Sequence, residues 1–122
     1  MDKNESREDY LERILMLSQK QDSVRAIDIV KDMNFSKPSV SIALKKLKAD
    51  DLITIDQSNN ISLTKKGFEI ASSTLERHEI LSKLLVKLGV SEDVALEDAC
   101  KIEHDLSNES FEKIKEYYNK TH

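Results

Sequence analysis

The sequence predicts a mainly α-helical protein with one small β-hairpin, on three observations. Residues that break helices are nearly absent, with two Gly and one Pro in 122 residues, which favours long helices. Apolar residues recur at helical spacing along most of the chain, as they do in helices with one buried face. One stretch, "LITIDQSNNISLT" (52–64), departs from that rhythm: β-branched residues flank a turn rich in Asn and Ser, the pattern of two short strands.

Length and composition narrow the class further. A chain of this size can bury enough surface to fold without disulfides, and its single Cys has no partner within the chain. No stretch approaches 18 consecutive apolar residues, and "MDKNESREDY" is too charged for a secretion signal. A soluble, cytoplasmic protein with no membrane partner is expected. The net charge of -4 does not advertise nucleic-acid binding, but it is unevenly spread. Residues 1–70 carry 12 basic and 12 acidic side chains, whereas residues 71–122 carry 7 and 11, so basic patches must be sought on individual elements.

The first helix is "EDYLERILMLSQK" (8–20), where Tyr10, Leu11, Ile14, Leu15 and Leu17 form an apolar face. Asp9 and Glu12 project from nearly the same side of it. Taken alone, these acids suit the positive end of the helix dipole. Residues 23–56 divide into a short helix near 25–32, a tight connection, and a second helix near 37–49 with Ser36 as N-cap and Pro38 in the first turn. The second helix turns Val40, Leu44 and Leu47 to one side, with Ile42 and Ala43 beside them. Lys37, Ser39, Ser41, Lys45 and Lys48 lie mostly elsewhere, and residues 36–49 hold four Lys and no acid. Two short helices joined by a tight turn, the second basic outside, match a helix-turn-helix whose second helix enters the major groove of double-stranded DNA.

The hairpin follows, with strands at 53–55 and 61–63 around a turn at 57–60. In that position it is the wing of a winged helix-turn-helix domain, residues 1–67. Lys65 and Lys66 just beyond it suit either phosphate contact or a solvated loop. From Gly67 the pattern is helical again, and residues 68–122 are expected to form an all-helical dimerisation domain, with 68–75 the linker part of a long helix. "FEIASSTLERHEILSKLLVKLG" (68–89) carries an apolar stripe too long for the small domain before it and stops at Gly89. Ser91 then caps "SEDVALEDACKIEHDL", and Ser107 or Asn108 caps "SNESFEKIKEYYNKTH". The surplus apolar surface calls for a homodimer.

On a helix through residue 100, Cys100, Glu103 and His104 stand at i, i+3 and i+4 and converge on one patch. A thiolate, a carboxylate and an imidazole can hold a divalent transition metal, but three ligands leave the coordination sphere open. His78 and the Asp9–Glu12 pair are candidates to complete it. The same helix has a core face of Ala99, Ile102 and Leu106, so a buried small Cys and a structural His fit it as well. An enzyme is not expected, nor a small-molecule substrate: the sequence has no phosphate-cradling Gly loop, no two-Cys zinc spacing and no oxyanion-hole glycine turn.

"REDYLERILML", a winged helix, "ERHEIL" and "EDACKIEHDLS", in that order, resemble the metal-dependent repressors of the diphtheria toxin repressor and manganese transport regulator family. The resemblance covers nearly the whole chain and implies a DNA-binding repressor of metal-homeostasis genes, active as a homodimer on a palindromic operator. It implies metal between the first helix and the dimerisation domain, held by Asp9, Glu12, His78, Cys100, Glu103 and His104. Asp9 and Glu12 match the manganese-responsive branch. Cys100 falls where manganese regulators have a bridging glutamate and iron-responsive repressors a cysteine, so the chain is a mosaic. Ser82 and Leu96 stand where the iron-responsive branch has ligands of an ancillary site, so that site is not expected, nor is the SH3-like third domain of larger members. Fe²⁺ or Mn²⁺ is the expected cofactor, with Co²⁺, Ni²⁺ or Zn²⁺ as substitutes. The competing expectations are a winged-helix regulator indifferent to metal, and a helical dimer with no DNA role.

Overall fold

A computed structural model describes residues 3–121, with side chains from Arg7 onward. Residues 1, 2 and 122, which the expected domain bounds include, lie outside the described residues. The chain divides into two compact units, Met1–Ser72 and Ser73–His122.

The first unit contains α1 (Lys3–Lys20), α2 (Ala26–Met33), α3 (Lys37–Ala49), β1 (Ile53–Ile55), β2 (Ile61–Leu63) and the start of α4 (Lys65–Lys87). Its core is apolar: Leu11, Ile14, Val24, Ile29, Val40, Leu52 and Ile53 are almost completely buried. The chain reverses after α2 through Asn34, which takes the left-handed conformation at φ 57°, one that Asn tolerates better than most residues. Ser36 then starts α3, its Oγ accepting the Ser39 N–H at 3.2 Å, and Pro38 sits in the first turn where no N–H is needed.

β1 and β2 pair antiparallel, with Ile53 opposite Leu63 and Ile55 opposite Ile61. Two strands alone are marginal, and this pair is tied down at both ends. The Ile61 N–H donates to the Val24 carbonyl at 2.7 Å. At the tip, the Asp56 carboxylate accepts from the Ser58 and Asn60 N–H groups at 2.8 and 2.9 Å. The Asn60 N–H foremost, opposed by desolvation and helped by the Ser58 N–H, holds the Asp56 carboxyl below its ordinary range. Gly67 explains how α4 leaves the hairpin: a Cβ there would lie 1.9 Å from the Leu52 carbonyl oxygen, so only glycine permits the approach.

The second unit contains the rest of α4, α5 (Glu92–Ile102) and α6 (Asn108–Thr121). Gly89, at φ 109°, ends α4 in a conformation that favours glycine. Leu81, Ala95, Ala99, Phe111 and Tyr118 are its buried apolar residues. Arg77 ties it together: one guanidinium nitrogen donates to the carbonyls of Glu103 and Leu106 at 3.0 and 2.7 Å. Another reaches Asn108 Oδ1 at 2.6 Å, and the guanidinium lies over the Phe111 ring, 5.1 Å from its centroid. Glu76 pairs with Lys115 at 3.1 Å, and Lys87 Nζ donates to the Thr121 carbonyl.

Four local expectations are corrected. α4 begins at Lys65, so Lys65 and Lys66 form its first turn instead of a loop; the Thr64 hydroxyl accepts the Gly67 N–H at 3.0 Å and starts the helix early. Ser91 occupies the N-cap position of α5 without a side-chain capping bond. Ile42 does not join the buried side of α3 but is 63% exposed. Finally, α5 stops at Ile102, so Glu103 is its C-cap and His104 lies in the following turn. Carbonyls that a continuing helix would bond internally are taken by Arg77 instead.

Candidate functional site

In the second unit, the end of α5 brings three of the expected ligands to one imidazole or its partner. Glu103, whose side chain is fully buried, sits with Oε2 2.9 Å from His78 Nδ1 on α4. Its other oxygen is 3.3 Å from His104 Nε2, on a ring only 3% exposed. Cys100 is exposed, with Sγ 3.7 Å from the same His78 Nδ1. A carboxylate, a thiol and an imidazole therefore share one nitrogen. The Cys100 sulfur first, then the Glu103 carboxylate, push the His78 pKa up to about 10, against the smaller opposing effect of burial. The His78 proton sits where a hard carboxylate oxygen, a soft sulfur and an intermediate imidazole nitrogen meet, a donor set that would suit a divalent transition metal.

The turn that carries Glu103 and His104 is aimed by Arg77, through its bond to the Glu103 carbonyl. Sequence reasoning missed Arg77. Its only signal is its place beside His78, since the carbonyls it binds lie 26 and 29 residues away.

The remaining expected ligands, Asp9 and Glu12, stand on α1 in the first unit, Asp9 half-buried and Glu12 buried at 5% exposure. Carboxylates are rarely buried unless paired, hydrogen-bonded or bound to a metal. Ser82, where the resemblance led to the expectation of no ancillary ligand, is buried and donates its hydroxyl to the Glu79 carbonyl at 3.1 Å.

On α3 all five expected DNA-facing residues, Lys37, Ser39, Ser41, Lys45 and Lys48, are exposed, and Val40, Leu44 and Leu47 are buried. The Ser39 hydroxyl accepts from Ser36 Oγ at 2.8 Å, which leaves its own proton to donate. Between α3, the start of α2 and the hairpin runs a hollow of about 460 Å³ whose walls include Arg25, Lys45 and Lys48. Arg25 is thus a cation of this face that sequence reasoning did not single out; its side chain also donates to Asn60 Oδ1 at 3.3 Å.

Comparison with known proteins fits both surfaces. Residues 3–59 match the iron-dependent repressor N-terminal DNA-binding domain, and residues 64–122 match the iron-dependent repressor metal-binding and dimerisation domain. The HTH-type transcriptional regulator MntR of Bacillus pumilus is 34% identical over 109 residues, 89% of this chain and 76% of that protein. The chain belongs to the diphtheria toxin repressor and manganese transport regulator family. An uncharacterised HTH-type transcriptional regulator of Methanocaldococcus jannaschii is 35% identical over 96% of this chain and 95% of its own length.

Among solved structures, the manganese regulator SloR aligns with a TM-score of 0.83 at 33% identity, over 93% of this chain and 53% of that one. A manganese-dependent transcriptional repressor in complex with manganese aligns with a TM-score of 0.83 at 26% identity, over 52% of its length. The chain thus spans about half the length of these solved family members. No helix among the described residues is long and apolar enough to cross a membrane.

Proposed function

We propose that this chain is a cytoplasmic repressor of metal-homeostasis genes that binds a palindromic operator as a homodimer when Fe²⁺ or Mn²⁺ is bound. The observation that carries the reading is the shared His78 nitrogen, with Glu103 at 2.9 Å and Cys100 at 3.7 Å, in a chain whose other unit carries an exposed basic recognition helix. The family's first-helix acids have their counterparts in Asp9 and Glu12, so the proposed ligand set is Asp9, Glu12, His78, Cys100, Glu103 and His104.

When bound, a divalent cation supplies positive charge that offsets the mutual repulsion of Asp9, Glu12 and Glu103. The chain's own residues do the rest. His78, Cys100 and the carboxylates would hold the cation in their deprotonated forms, so the proton between His78, Glu103 and Cys100 would have to leave. Arg77 keeps Glu103 aimed throughout. The α3 helices of a dimer then enter successive major grooves about 34 Å apart, with Lys37, Lys45 and Lys48 near phosphates and Ser39 and Ser41 near base edges. Shifting a two-state equilibrium almost completely toward that arrangement takes about 5.5 kcal/mol of differential affinity. The Cys100 sulfur is softer than a bridging carboxylate and favours Fe²⁺ over Mn²⁺.

Self-association has its own support. In the second unit Val86, Leu88, Val94, Leu96 and Tyr117 are exposed, Leu88 at 72%, and α4, α5 and α6 border a hollow of about 580 Å³ beside Val86, Leu96 and Tyr118. An apolar surface of this kind on a small unit is normally covered.

The test is fluorescence anisotropy of a labelled duplex from the region upstream of the chain's own operon, titrated anaerobically with and without Fe²⁺ or Mn²⁺. Metal-dependent binding that chelator reverses is expected. Binding indifferent to chelator would leave a winged-helix regulator without a metal switch, and no binding in either state would leave a structural dimer.

A further inference from the structure

Of the large apolar residues in the first unit that are exposed, Ile42 is the most so, at 63%, against 52% for Phe68, 41% for Ile27 and 40% for Phe35. Its place on α3 is more telling than its exposure. At 3.6 residues per turn, Ile42 lies about 170° around the helix from the centre of the buried Val40, Leu44 and Leu47 face. It is the crest of the outward surface. Exposed Ser39, Lys45 and Lys46 flank it at i−3, i+3 and i+4, while Lys37 and Lys48 stand lower on the flank toward the core. Nothing about folding asks for an isoleucine there: a β-branched residue has lower helix propensity than the lysines around it, and most of its surface stays exposed.

On the reading that α3 enters the major groove, on which this inference rests, the crest is what reaches the floor of the groove. The floor is lined with hydrogen-bond donors and acceptors, and its only apolar group is the C5 methyl of thymine. An isoleucine opposite any other base strips water from a polar edge and returns no hydrogen bond. Opposite thymine it buries a methyl group against a methyl group. We infer that Ile42 is a specificity-determining residue of this chain, reading one thymine in each operator half-site through its C5 methyl, between phosphate contacts made by the lysines.

The experiment begins with selection from a randomised duplex library by the full chain, with Mn²⁺ and, anaerobically, with Fe²⁺. A thymine fixed at one position per half-site is expected. Replacing that thymine by deoxyuridine removes only the methyl group, and loss of one buried carbon weakens binding by roughly fourfold in one half-site and roughly fifteenfold in both. For Ile42→Ala, the thymine and uracil duplexes should bind alike, and its own selected sites should lose the fixed thymine. Ile42→Val, which keeps the branched methyl groups, should retain the preference.

Parent protein that binds every single-uracil duplex as tightly as the thymine duplex overturns the inference while leaving the DNA-binding reading intact. So does Ile42→Ala that still selects thymine. A change in the sedimentation of the DNA-free protein on Ile42→Ala would mean the residue meets a second protein surface, which also overturns it. Failure of the parent to select any sequence in either metal removes the underlying reading itself.

Discussion

The two units of this chain solve burial in opposite ways. The first keeps charge outside and hydrocarbon inside: Leu11, Ile14, Ile29, Val40 and Leu52 are buried, and the lysines of α3 are exposed. The second buries the Glu103 carboxylate between two imidazoles and leaves Leu88 and Leu96 72% and 49% exposed. A unit optimised only for its own stability would do the reverse, because burying a carboxylate costs several kcal/mol before its partners offset it. The inversion falls at the two places for which we propose an outside partner, an ion at Glu103 and another protein surface at the leucines.

The contrast can be broken or sharpened by four changes, three substitutions in falling order of expected effect and then a change of pH. Leu44→Ala in the apolar core of the first unit should destabilise the chain by about 3 kcal/mol, the transfer and cavity cost of a buried leucine. Chemical denaturation measures it, and a loss below about 1 kcal/mol would mean that the core repacks easily. Glu103→Gln keeps the shape but removes the charge that, after the Cys100 sulfur, does most to raise the His78 pKa. A stability loss of about 2 kcal/mol is expected from a weakened charged hydrogen bond, together with loss of the metal response in the anisotropy titration. A variant that stays fully metal-responsive would remove Glu103 from the ligand set.

Leu96→Glu places a charge on the exposed apolar face and should leave its own unit's fold intact while weakening self-association by about 2 kcal/mol. Sedimentation over a dilution series distinguishes this from unfolding, which circular dichroism would detect. The fourth change is of pH. His78 titrates near 10 in the folded chain against an ordinary 6.5. Because that pKa is raised on folding, its stabilising contribution is complete below about pH 6.5 and fades as pH rises toward 10. Metal affinity runs the other way: between pH 6 and 8 it should rise about tenfold per unit for each proton released. Calorimetry in buffers of different ionisation enthalpy counts those protons, and a count of zero would exclude His78 and Cys100 as ligands.

Most of the first unit was legible because its determinants are local. The tight connection after α2, the Ser36 cap and the Asn- and Ser-rich turn at 57–60 each act over a few residues, and β1, β2 and α3 occupy the spans that spacing indicates. What spacing could not resolve on α3 was Ile42, since periodicity orders residues around a helix but does not say how wide the buried stripe is. In the second unit the informative interactions are long in sequence. His78 and Glu103 were each candidates on chemical type, yet their contact spans 25 residues, and no local pattern reports it. The end of α5 was misjudged for the same reason: the helix pattern runs on through His104, and the residue that interrupts it, Arg77, belongs to another helix.

Arg77 separates two properties of a sensor that are usually discussed together. In the proposed site the donors around His78 Nδ1 would determine which ion is preferred, whereas the arginine, bound to main-chain carbonyls and stacked on Phe111, would hold those donors in place. Rigidity of that kind bears on the free concentration at which the proposed switch would respond, without adding or removing a donor atom. Lineages can therefore retune the threshold of such a regulator to a richer or poorer environment through positions that never touch the metal.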